Sequence, residues 1–97
     1  MPKYVGLLSW TDQGVRSVKD TVTRYQDARA LIERMGGAVD SILWTMGPYD
    51  IVTTFEAPDD ETVSAVMLTL ASAGNLRGTT MRAFTADEMG AVIGKMP

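Results

Sequence analysis

The spacing of apolar and polar positions divides the chain into alternating strand-like and helix-like stretches. Tyr4-Val5-Gly6-Leu7-Leu8 is almost continuously apolar and stops at Ser9-Trp10-Thr11-Asp12. That is the pattern of a central strand covered on both faces, not of a strand with one wet side. Between Thr21 and Met35, apolar residues recur at Val22, Tyr25, Ala28, Leu31, Ile32 and Met35, and Gly36-Gly37 follows. This spacing predicts an amphipathic helix with a glycine stop. Val15 and Val18, within Gly14 to Lys19, predict a short helical turn ahead of it. Ala38 to Met46 and Ile51 to Glu56 are rich in β-branched and aromatic residues, with Trp44 read as core. Between them Gly47-Pro48-Tyr49-Asp50 places Pro where a type I turn wants its preset φ, so the two segments are expected to pair as an antiparallel hairpin.

A second helix is expected from Asp59, a favourable N-cap, to Gly74, with Val63, Val66, Met67 and Leu70 on its core face. Asp59-Asp60 and Asp87-Glu88 stand where helix starts want negative charge, which accounts for both acidic pairs. No charged residue occurs from Thr62 to Leu76, so this helix is a candidate for being covered on its outer side as well. Gly78 to Phe84 reads as the fourth strand. Thr85-x-x-Glu88 is a capping box, flanked by Phe84 and Met89 at the spacing of a hydrophobic staple. The last helix, through Val92, Ile93 and Met96, is short enough to need another surface against it. The order β-α-β-β-α-β plus a C-terminal helix predicts an α+β, ferredoxin-like sandwich with a four-stranded antiparallel sheet.

Composition narrows the function classes. Ninety-seven residues suit one domain spanning 1–97, and a chain this small gains by covering an open sheet face with a second copy, so a homo-oligomer is expected. The net charge is −3 and basic residues are scattered singly, which speaks against nucleic acid and anionic membranes as partners. The N-terminus lacks the pattern of a secretory signal and no apolar run approaches a membrane span, so a cytoplasmic location is expected. The chain has neither Cys nor His. Thiolate nucleophiles, the commonest general base and the usual transition-metal and haem ligands are therefore missing, and no metal or cofactor is expected.

Four segments taken together, Trp10-Thr11-Asp12-Gln13-Gly14, Gly47-Pro48-Tyr49-Asp50, Gly74-Asn75-Leu76-Arg77 and Thr79-Thr80-Met81-Arg82-Ala83-Phe84-Thr85, resemble the GYD domain family across nearly the whole chain. The resemblance implies kinship with the dimeric α/β-barrel proteins, in which two ferredoxin-like sheets pack into one barrel. That broad group includes cofactor-free oxygenases of quinol-like substrates, haem-degrading enzymes, lactone isomerases and effector modules. It therefore implies an architecture rather than an activity.

Five residues are candidates for binding a small molecule. Tyr49 and Asp50 offer a phenol and a carboxylate from the hairpin turn, against a structural reading in which Asp caps the turn and Tyr packs. Trp10, at the end of the first strand, is a candidate wall for a flat ligand. Asn75 and Arg77 flank the entry to the last strand, where Arg77 reads as a surface ion-pair residue. Arg82 interrupts the apolar pattern of that strand, so its guanidinium is a candidate for an anion. Two functions follow: a small-molecule-binding or interaction module, favoured by the missing His and Cys, or a cofactor-independent oxygenase or isomerase of a phenol, quinol or enol. The second needs a proton acceptor, and Asp, with a pKa of about 3.9, is a weak base unless its site raises that value.

Overall fold

A computed structural model describes residues 1–97 of the chain. The four strands form one antiparallel sheet in the order β2-β3-β1-β4, from β1 (Lys3–Trp10), β2 (Ala38–Trp44), β3 (Ile51–Glu56) and β4 (Leu76–Ala83). Between them lie α1 (Asp12–Arg16), a 3₁₀ turn (Val18–Asp20), α2 (Thr21–Arg34) and α3 (Asp60–Ser72), and α4 (Ala86–Gly94) ends the chain. This is the ferredoxin-like order, with β1 central between β3 and β4. The fourth strand starts two residues before Gly78, because Trp10 extends β1 and pairs with Leu76. The second strand stops at Trp44, short of Met46.

Alternation along the paired strands decides what each face carries. Tyr4 stands opposite Phe55 and Phe55 opposite Val39, and Tyr4, Phe55, Ala57 and Val63 form the buried core beneath the helices. The Tyr4 and Phe55 rings stack with centroids 5.6 Å apart. The Tyr4 hydroxyl donates to Asp60 Oδ1 at 2.6 Å, at the first residue of α3. That bond, with burial second, pushes the phenol up to about 12.

The opposite parity, Val5, Leu7, Val52, Leu43 and Met81, lies on the face that no helix of the chain covers. Val5 and Leu7 are half-buried, while Leu43 is 63% and Met81 42% exposed. The central strand is thus apolar on both faces as its sequence suggests, but only its helix side is covered within one chain. Asp40, the extra residue of a bulge between Val39 and Ser41, pairs with Lys3 at 2.9 Å, and Lys3 also reaches Glu56 at 2.9 Å.

The predicted caps are present. Asp59 Oδ1 accepts from the Thr62 amide at 2.8 Å. At α4 both halves of the capping box form, Glu88 N to Thr85 Oγ1 at 3.2 Å and Thr85 N to Glu88 Oε1 at 2.9 Å. The bond from the Thr85 backbone N–H holds the Glu88 carboxyl below the usual range. Phe84 and Met89 remain about half exposed, and every residue from Met89 to Pro97 is exposed. The last helix therefore finds no surface of its own chain to lie against.

Two apolar assignments are corrected. Val22 is 53% exposed on the outer side of α2. Trp44 lies at the rim rather than in the core: it is 39% exposed, its Nε1 donates to Thr21 Oγ1 at 3.0 Å, and its ring meets Tyr25 edge-on.

Candidate functional site

Four of the five candidate residues gather at one end of the sheet. Asp50 is fixed from three sides: its carboxylate accepts from the Trp10 amide at 2.9 Å, its own N–H donates to Leu8 O at 2.9 Å, and its carbonyl accepts from Thr45 N at 2.8 Å. The side chain thereby continues the β1 ladder past Ile51, the first residue of β3. Tyr49 sits exposed in the turn, and its carbonyl accepts from Thr45 Oγ1 at 2.6 Å. Trp10 is half-buried, and its indole Nε1 is buried without a hydrogen-bond partner.

Asn75 belongs to a clasp between the start of α1 and the turn after α3. Thr11 N donates to Asn75 O at 3.1 Å and Thr11 Oγ1 donates to Gly74 O. Gln13 Nε2 donates to Ala73 O at 3.0 Å and to Asn75 Oδ1 at 3.1 Å. Gly14 closes the clasp, since a Cβ there would overlap the Asn75 carbonyl. Gly74 has φ +86°, a conformation L side chains rarely adopt. Thr11 also caps α1 by accepting from Gly14 N at 3.0 Å. Thr11 is a favoured N-cap residue in the sequence as well, and the helix starts at Asp12, two residues before the Gly14 at which the short turn is expected.

Arg82 does not join this group. It lies six residues along β4 from Leu76, roughly 20 Å away at about 3.4 Å per residue. Its guanidinium is 4.6 Å from the Phe84 ring centroid and 5.9 Å from that of Tyr4. It donates to the carbonyls of Lys3 and Ala83 and stands 3.6 Å from Glu88. These partners tie the strand end to α4 and leave the guanidinium well engaged.

The recess nearest the candidates lies between α2, α3 and the sheet, a cleft of about 440 Å³. Its physical origin is on the helix-facing side of the sheet, where Gly6 and Gly78 carry no side chain and Thr53 and Thr80 are short. Leu8 leans over Gly78 to fill part of the gap. Leu8, Ile42, Ile51, Met67 and Leu70 supply the apolar lining, and Asn75 is the one candidate residue that also lines it. A second recess of about 430 Å³ lies on the β4 side of α3 and shares Leu8, Met67 and Leu70. Sequence reading missed the cleft, because the α2 stripe looks like ordinary core. The signal within reach was Arg24 and Arg34, which fall on the same helical face as Leu31 at intervals of seven and three.

No helix is long and apolar enough to cross a membrane. The model of the GYD domain matches residues 4–93, and the chain belongs to that family. A relative named glutamine synthetase and cystathionine beta-lyase binding protein, from Thermus thermophilus, is 32% identical over 90 residues, covering 92% of this chain and 95% of the relative. A crystal structure of a protein from Thermus thermophilus superposes with a TM-score of 0.56 at 23% identity. It covers 89% of this chain and 96% of that one, and the likeness is one of fold.

Proposed function

We propose that this GYD domain protein is a homo-oligomeric interaction module that docks on another enzyme, with the cleft between α2 and α3 as a seat for a small molecule. The observation that carries the reading is the amount of surface a single copy leaves uncovered. The chain exposes 6286 Å², whereas a monomer of 10.5 kDa is expected to expose about 5,400 Å². The excess is close to the roughly 800 Å² that each partner contributes to an ordinary interface. Exposed apolar side chains lie on the open sheet face, at Leu43 and Met81, and on α4 and the residues after it, where Ile93 is 55% and Met96 69% exposed. Pairing open faces into a dimeric α/β barrel, with α4 of each copy laid on the other, covers both.

That arrangement leaves α2 and α3 outward. Beyond Glu61 in its first turn, the outer face of α3 carries Ser64, Ala65, Leu68, Thr69 and Ser72, all exposed and none charged, and Leu68 is 71% exposed. A patch with so little charge to desolvate suits a protein partner. The named binding property of the Thermus relative supports an enzyme as that partner. The test is calorimetric titration of the purified protein into purified glutamine synthetase, and separately into cystathionine β-lyase, from the same organism. Saturable heat is expected with at least one, weakened at least tenfold by Leu68→Glu. Absence of heat with both enzymes contradicts the docking reading.

A further inference from the structure

The side chains that rim the α2–α3 cleft differ in how far their charge is already answered. Arg24 donates to Ser17 O, Ser17 Oγ and Gly14 O, and Arg29 pairs with Glu33 at 3.0 Å. Arg34 lines the cleft, is exposed, and makes neither a side-chain hydrogen bond nor an ion pair. The one acidic lining residue is Asp27. It lies seven residues before Arg34, about 10 Å along the helix axis. The α3 wall adds no charge, since none occurs from Thr62 to Leu76. The cleft is therefore an apolar slot of a volume usual for small-molecule sites, with one unanswered guanidinium at one end and its only carboxylate two turns away.

We propose that the slot binds an amphipathic monocarboxylate, with the carboxylate on Arg34 and the apolar body over Leu8, Ile42, Met67 and Leu70. The proposal rests on the cleft being a small-molecule seat and names the ligand class. A planar guanidinium fork matches one carboxylate in bidentate fashion. A polyanion would find a single free donor group and the Asp27 charge on the same wall. A cation would meet Arg34 at one end and Arg24 at the other.

The test is calorimetric titration of the intact protein with decanoate and decyltrimethylammonium below their micellar concentrations and with decan-1-ol below its solubility limit. One decanoate per chain is expected, bound at least tenfold more tightly than either other probe. Arg34→Glu, on an exposed position, is expected to cut decanoate affinity at least tenfold with the folded circular dichroism spectrum retained, and Arg34→Lys to recover part of it. Ala28→Trp, which fills the slot, is expected to abolish binding. Equal affinity for acid and alcohol, untouched by Arg34→Glu, overturns the carboxylate assignment while leaving the seat. No heat from any probe overturns the seat as well. Docking on glutamine synthetase or cystathionine β-lyase is read in a separate titration and stands or falls independently.

Discussion

Single side chains at the ends of the strands do much of the positioning. Asp50 is the clearest case, because its carboxylate serves a backbone amide that no strand reaches. A hydrogen bond to a charged acceptor contributes about 1.5–3 kcal/mol. Asp50→Ala is expected to cost about 2 kcal/mol by denaturant unfolding, and Asp50→Asn distinctly less, because the amide oxygen still accepts from Trp10. Equal losses in the two variants would show that the charge matters more than the acceptor. Tyr4 gives a pH signature. Its phenol is ordinarily near 10 and is raised to about 12 in the fold, so the stability it contributes is complete below pH 10 and lost as pH rises toward 12. Lys3 is also raised, by its bonds to Glu56 and Asp40, and adds a loss of the same sign. The diagnostic quantity is therefore the difference between the parent and Tyr4→Phe. That difference is expected to be constant to about pH 10 and to shrink above it, followed by chemical denaturation at each pH.

Elements whose signals are local were legible in the sequence, and those that depend on what lies opposite were not. The capping box at Thr85 and Glu88 and the Asp59 cap involve neighbours three residues apart, and the order of elements along the chain followed from apolar periodicity and the turns. Trp44 and Val22 were misread because an apolar residue on a periodic stripe does not reveal whether the facing element reaches it. The convergence of candidate residues was only partly legible. Trp10, Asp50 and Asn75 meet through chain ends that β1 brings together, while Arg82 is carried to the far end by the same strand pairing. The α4 cap acts on a helix with no surface of its own chain, so its loss is expected to melt that helix rather than the sheet. Thr85→Ala is expected to remove about 1 kcal/mol of cap, seen as lost helical ellipticity. Glu88 is held low by its cap bond, so the same loss is expected in the parent as pH falls through the carboxylate range.

At the scale of the whole molecule, a single copy is thin and extended, 51 × 30 × 19 Å with a radius of gyration of 14.5 Å. A globular chain of this length is expected near about 12.5 Å. The difference fits the α4 that no other part of the chain covers and the sheet face left open, the features on which the proposed homo-oligomer rests. Val52 lies on that face opposite Leu7 of the central strand, and a charge there would be buried unpaired on association. The most direct measurement is light scattering at micromolar concentration on the parent and on Val52→Lys. An integral multiple of the chain mass is expected for the parent and the mass of one folded chain for the variant. A parent that runs as a single chain, with the folded circular dichroism spectrum of this structure, would contradict it.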